Sequence, residues 1–358
     1  NTTGYINVAV GHDAMKANTE GQGNVGVGGY ALDANTTGSR NIAIGCSALS
    51  ANTTCSDNIG IGFCALTTQT TGGINNTSVG NYSMKLNTTG DNNVAVGFHA
   101  LCTNTSGGIN TAIGVNALKV NTTASNNTAI GFEALLSTTT GCQNTAVGRG
   151  AMELNTTGCS NVGIGHQALD SNTEGEFNTA VGKAASNSIT TGDCNTTLGR
   201  DAGGSLTTGN NNLVLGHGAG NDAVADISTS SNFIVLGNND SATAKIKIDW
   251  TVTSDERDKM NFEEVPHGLN FVNQMKPVSF VFKKSREDDT PHGKKRFGFK
   301  AQEILELEGD NPVLVNDDDT DNLSLTSAYL IPVLVKAVQE LTDQNKEMKA
   351  EIEELKKK

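Results

Sequence analysis

The sequence predicts a mainly β chain: a trimeric parallel β-solenoid of 17-residue coils, followed by a small α/β domain that ends in a coiled-coil helix. Three observations carry this expectation. A pentapeptide of the form Asn-x-small-aliphatic-Gly recurs through the N-terminal part, as in "NIAIG" at Asn41, "NTAIG" at Asn110 and "NVGIG" at Asn161. Composition changes sharply near residue 250, since all five prolines lie at or beyond Pro266 and all seven cysteines lie at or before Cys194. The C-terminal stretch carries two apolar series spaced by seven residues.

The repeat is the strongest element. Its glycines run from Gly11 to Gly216 in thirteen copies, each 17 residues after the last except for a single step of 18 from Gly62 to Gly80. Within a coil, "NTAIG" alternates with the strand period of two, "AL" or "AM" follows the glycine, and "NTTG" supplies a second turn. A unit this short cannot bury its own Ile and Leu, so neighbouring coils must stack. At about 4.8 Å per coil the stack makes a rod on the order of 60 Å long. The Asn four residues before each glycine is expected to form a ladder along it. Interior apolar area per coil is small, with aromatics at only 4% of the chain, so several rods are expected to associate side by side as a trimer.

Composition narrows the function. The formal net charge of −13 is shared by both parts of the chain, which argues against a nucleic-acid ligand. No apolar run approaches the roughly 20 residues of a membrane helix, and no signal peptide is visible, so membrane insertion is not expected. The chain starts at Asn1 without a methionine and reads as a piece of something longer. An odd cysteine count offers no disulfide framework, and the cysteines read as small turn residues in a reducing compartment. Acids in the repeat, such as Asp57, Asp91, Glu133, Glu153 and Glu176, occupy different coils and read as solvated surface rather than a glycosidase pair. The "NTT" segments, for example at Asn35, Asn87 and Asn155, match the glycosylation sequon but are explained by turn chemistry. The acidic stretch "NDDDTDN" from Asn316 lacks the spacing of a helix-loop-helix calcium loop and reads as a solvated turn. No metal site or cofactor is expected.

Downstream of a shaft at 1–220, residues 221–253 read as a neck. Its closing strand, "AKIKIDWTVT", alternates Lys245, Lys247 and Asp249 with Ile246, Ile248 and Trp250. Residues 254–326 read as a compact α/β unit and 327–358 as a coiled coil. In the coiled coil, Ile331, Val338, Asn345 and Ile352 form one seam series, and Leu334, Leu341, Met348 and Leu355 the other. A polar Asn345 at a seam position helps set register and strand number.

The shaft pattern resembles the heads of trimeric autotransporter adhesins and the repeats of viral and phage fibre proteins, with a longer period than the adhesin repeat. "SDERDK" at Ser254, with "LNFVNQMKPVSF", "RFGFKAQEI" and "VKAVQEL" after it, resembles the endosialidase-type intramolecular chaperone domain. That domain ends phage tailspikes and fibres, and a relative occurs in myelin regulatory factor-like transcription factors. The resemblance implies a homotrimer assembled through C-terminal helices, which then cuts itself between Thr253 and Ser254. It implies Ser254 as nucleophile, Lys259 as general base, and Asp255 and Arg257 in supporting roles. From spacing alone, Ser254 also reads as a helix N-cap. Asp258 stands where the family usually has an apolar residue, and Lys300 where it has an Ile-like one; a carboxylate beside Lys259 opposes a base role. The implied protein is a tail fibre or tailspike segment of a virion, assembled in the host cytoplasm, with a host-surface glycan or protein as receptor. A surface adhesin or an ice- or glycan-binding rod with an uncleaved trimerisation domain is the alternative, and a glycan depolymerase is the third.

Overall fold

The computed structural model describes residues 1–221, 227–238, 240–241, 254–283, 286, 288–310, 312–317, 320 and 323–357. The chain divides into two compact units, Asn1–Asn238 and Asn239–Lys358.

The first unit is a parallel β-solenoid. Fourteen three-residue strands, from β1 (Val8–Val10) to β14 (Ile234–Leu236), lie in one sheet in chain order. Each strand pairs in parallel with the equivalent residues of the next coil, as in Thr111↔Thr128 and Ile113↔Ile130. The single 18-residue step leaves this register intact, with Ile59↔Thr77 and Ile61↔Val79 still paired. Strand β14 follows a longer spacing and pairs with β13 (Leu213–Leu215), because Val235 supplies the inward apolar residue. The sheet therefore extends into the segment read as a neck. The expected closing strand, including Lys245 to Trp250, and Thr253 lie outside the described residues.

Strand geometry decides what is buried. The middle residue of each strand points inward and is small, and Ala43, Ala95, Ala112 and Ala129 are fully buried. Opposite them stand the Leu or Met of the "AL" and "AM" segments, such as Leu49, Leu118 and Met152, also fully buried. The short apolar "AL" segment is a turn. Leu49 and Leu118 have φ of 52° and 50°, a left-handed conformation that costs a non-glycine residue roughly 1–2 kcal/mol. Stacking holds it there, since the N–H of Leu118 donates to the Ala134 carbonyl of the next coil at 3.0 Å. At the column glycine no side chain fits: Gly114 has φ of 141°, and an added Cβ would lie 2.2 Å from the Gly131 carbonyl oxygen.

Two asparagine ladders run through the stack. In the expected one, each Asn carbonyl oxygen accepts the backbone N–H of the next Asn, as Asn24 does from Asn41 at 2.8 Å and Asn93 from Asn110 at 2.9 Å. The second, unforeseen, uses the Asn of "NTTG". There Asn104 Nδ2 donates to Asn87 Oδ1 and Asn121 Nδ2 to Asn104 Oδ1, both at 2.7 Å. These amides are buried, so the ladders satisfy polar groups that would otherwise destabilise a thin interior.

The second unit holds an antiparallel pair, β15 (Val278–Lys283) with β16 (Pro291–Gly298), and a smaller pair, β17 (Val315–Asn316) with β18 (Ser324–Leu325). Helices α1 (Leu269–Gln274), α2 (Ala301–Glu308) and α3 (Leu330–Lys356) complete it. Phe271, Ile304, Leu314, Val315, Leu330 and Val333 form its core. Helix α3 is pinned to α1 and to the segment before it by polar contacts: Glu340 Oε2 accepts the Leu269 N–H at 2.7 Å, and Lys336 Nζ donates to the Val265 carbonyl at 2.7 Å. Gly268 makes the first contact possible, because a Cβ there would lie 2.3 Å from the Glu340 carboxylate.

Candidate self-processing site and assembly seam

In the second unit, the segment that begins at Ser254 folds around a charged pair. Asp255 caps a short 3-10 turn at Glu256–Asp258, its Oδ1 accepting the Arg257 N–H at 2.9 Å. The Arg257 guanidinium returns to the same carboxylate, Nε to Oδ1 at 3.0 Å and Nη2 to Oδ2 at 2.6 Å. This two-point contact holds the Asp255 carboxyl below the usual carboxylate range and raises the Arg257 guanidinium. The cap is therefore Asp255, not Ser254 as spacing alone allows.

Relieved of capping, the Ser254 hydroxyl meets Lys259. Lys259 Nζ donates to Ser254 Oγ at 2.6 Å across the turn. Among the described residues no ion pair joins Lys259 to Asp258, so the neighbouring carboxylate leaves the ammonium facing the serine. Both Ser254 and Lys259 are exposed in the single chain. A lysine amine in water is protonated at neutral pH, and burial is what shifts such a group toward the neutral, proton-accepting form.

The seam residues share one face of α3 and are open to solvent. Ile331 and Val338 are each 62% exposed, and Leu334, Leu341, Met348, Ile352 and Leu355 lie exposed along the same series. Leu330, Val333 and Ala337 are buried on another face against the domain. The helix thus carries two apolar stripes, one used within its own domain and one without a partner. Asn345 Nδ2 donates to the Leu341 carbonyl at 2.9 Å, a bond within the helix.

The solenoid has its own exposed apolar row. The third strand residues Ile44, Val96, Ile113, Ile130 and Ile164 are 36–40% exposed. Phe63, Phe98 and Phe132, one position past the column glycine, stand beside it and are also exposed. Farther along, that same position carries Arg149, His166, Lys183, Arg200 and His217 in successive coils. Arg200 is partly balanced by Asp201 at 3.3 Å. Net charge concealed this cationic row, which emerges only once the coils are aligned.

A β-solenoid followed in the sequence by a small unit whose C-terminal helix carries an exposed apolar face suggests a tail-fibre or tailspike type of protein. Residues 254–314 match the family model described as chaperone of endosialidase, Peptidase_S74. The match begins at Ser254, and it follows a β-solenoid of about 13 turns. That family consists of self-cleaving chaperone domains that are in general trimeric and suggest phage tail components. No curated protein and no solved structure matches the chain. Among the described residues, no group of three or more His, Cys, Asp or Glu side chains is placed to hold a metal, and no helix is long and apolar enough to cross a membrane.

Proposed function

We propose that this chain is a trimeric viral or phage fibre segment whose C-terminal domain assembles the shaft and then releases itself by cutting between Thr253 and Ser254. The observation that carries the reading is the 2.6 Å contact between Lys259 Nζ and Ser254 Oγ at the residue where the family match begins. In the reaction, neutral Lys259 accepts the Ser254 hydroxyl proton while Oγ attacks the Thr253 carbonyl carbon. The proton passes to the Ser254 nitrogen as the peptide C–N bond breaks, leaving Thr253 esterified to Oγ. Water then hydrolyses the ester, giving a Thr253 carboxylate and a free Ser254 amine and hydroxyl. Asp255 and Arg257 hold the turn that keeps the two groups together.

The base must lose its proton first, and both groups are exposed in the single chain. Assembly supplies the missing burial: three α3 helices closing their seams and three solenoids closing their apolar rows bring surfaces together. Cleavage is thereby tied to trimerisation and has a single turnover per chain. The shaft, carried on the virion, presents a host-binding surface, and its cationic row suits an anionic surface glycan.

Freshly expressed protein beside Ser254→Ala and Lys259→Ala tests this by denaturing gel and intact mass. Wild type is expected to give fragments ending at Thr253 and starting at Ser254, with both variants whole. A wild-type chain that stays intact while running as a trimer assigns the domain as a permanent clamp instead, and the alternative of an uncleaved adhesin-type rod then stands.

A further inference from the structure

The exposed turn of each coil contains a column of residues six positions before the column glycine. At many steps of this column the backbone N–H of one coil donates to the side chain of the equivalent residue in the next. Ser39 N–H donates to Ser56 Oγ at 3.0 Å, Gly108 N–H to Ser125 Oγ at 3.0 Å and Glu176 N–H to Asp193 Oδ1 at 2.7 Å. The rule draws each side chain back over its predecessor. At one step both positions are cysteine: Cys142 and Cys159. The rule still holds there, with Cys142 N–H donating to Cys159 Sγ at 3.0 Å.

The consequence is a pair of sulfurs 2.9 Å apart, both half-buried. No other two cysteine sulfurs are in contact among the described residues. In-register residues of adjacent coils are about 4.8 Å apart at the backbone, inside the range a disulfide spans. The Cys142 thiol is pushed up to about 11, chiefly by its hydrogen bond with Cys159 and then by burial. Cys159 Sγ, which receives the backbone N–H, stands in contact with that thiol.

We infer that Cys142 and Cys159 form a site of reversible oxidation, closing an intrachain disulfide that staples two neighbouring coils of the shaft. The oxidant is a small-molecule disulfide of the glutathione type. Cys159 thiolate attacks one of its sulfurs, forming a mixed disulfide and expelling one glutathione thiolate. Cys142 then gives its proton to solvent and attacks the Cys159 sulfur, expelling the second. Two protein thiols are oxidised and one glutathione disulfide is reduced to two thiols. The odd cysteine count hid the pair, because only the 17-residue coil step makes residues 142 and 159 neighbours.

The full chain, purified with reductant, is exposed to glutathione disulfide, blocked with an alkylating agent and digested with trypsin without reduction. Cleavage after Lys119, Arg149 and Lys183 places Cys142 alone in peptide 120–149 and Cys159 alone in peptide 150–183. The expected result is a linked 120–149/150–183 species, two fewer alkylated residues among the seven cysteines, and a chain that still runs as a monomer on a non-reducing denaturing gel. Both Cys142→Ser and Cys159→Ser should abolish the linked species. Serine is the ordinary residue of this column, as at Ser39, Ser56 and Ser125, so both variants should retain the fold. Full alkylation of both cysteines, links from either to a different cysteine, or a covalent dimer band overturns the inference.

Discussion

The second asparagine ladder allows a sharp test, because its interruptions leave identifiable defects. Position 138 carries Thr where neighbouring coils carry Asn121 and Asn155. Asn121 Oδ1 is buried there without a hydrogen-bond partner, and Asn155 Nδ2 reaches Thr138 Oγ1 only at 3.4 Å. The same defect appears wherever the ladder breaks: Asn52 Oδ1 is unpartnered before Gln69, and Asn172 Oδ1 before Ile189. Thr138→Asn supplies the missing donor to Asn121 and a closer acceptor for Asn155. An unsatisfied buried acceptor costs about 1–3 kcal/mol, and the repair should recover at least about 1 kcal/mol per chain. Since stacked rods unfold slowly, the readout is the unfolding rate in a fixed concentration of guanidinium. A gain of about 1 kcal/mol corresponds to roughly fivefold slower unfolding if the contact is absent from the transition state. Thr138→Val, which adds no donor, should not slow unfolding. If Thr138→Asn unfolds at the wild-type rate or faster with an unchanged circular dichroism spectrum, the ladder is not a source of stability.

Other predictions follow from single residues. Gly114→Ala forces a Cβ against the Gly131 carbonyl in a left-handed backbone and should yield aggregated or proteolysed shaft, read by limited trypsin digestion. Asp170 is raised above the usual carboxylate range, first by burial, and its Oδ1 lacks a partner. A carboxyl raised in the folded state binds protons more readily folded than unfolded, so the shaft gains stability from this group as pH falls through its folded value. Asp170→Asn should therefore slow unfolding at neutral pH, with the difference shrinking toward acid pH. Arg40 and Asp57 make the opposite case: the guanidinium at 2.6 Å lowers Asp57, so their stabilisation is present above the unfolded carboxylate value and lost as pH falls through the folded one. Arg40→Gln should remove that acid-side loss in a pH series of unfolding rates. Replacing Leu334 with Asp in the exposed seam should leave the domain core folded and abolish trimers in sedimentation velocity.

Much of the architecture was legible because a period of 17, broken by one step of 18, with a glycine at the same place in each coil leaves few ways to stack. The column glycine, the inward Ala and the first Asn ladder each follow from position in the repeat. The left-handed Leu and Met residues were not legible: Leu118 at φ of 50° contradicts the preference of its side chain, and only neighbouring coils hold it. The same non-local cause hid the second ladder and the contact of Cys142 with Cys159. At the candidate site, the spacing of Ser254 and Lys259 was visible, but which residue caps the turn was not. Asp255 and Ser254 are both good caps, and the Arg257 guanidinium, closing on Asp255, decides between them.

The regularity that makes this fold readable also makes it hard to assemble. In the proposed trimer, sliding one solenoid past another by a single coil replaces Ile113 by Ile130, and Phe98 by Val115, at nearly the same positions of the exposed row. Such a slip keeps most apolar contacts, so the shaft's own surface specifies axial register weakly. The distinguishing marks are few: the 18-residue step, the aromatic coils and the cationic coils each occur over a limited stretch. Register must then come from a region without internal repetition. The second unit is such a region, and α3 offers a seam whose only polar member, Asn345, disfavours misaligned pairing. On the proposed reading, alignment at the C-terminal end fixes the first coil contacts, and each later coil adds to a neighbour already in register. On that reading the clamp has no further structural role once the row is closed, so a cut before Ser254 is expected to leave the shaft intact.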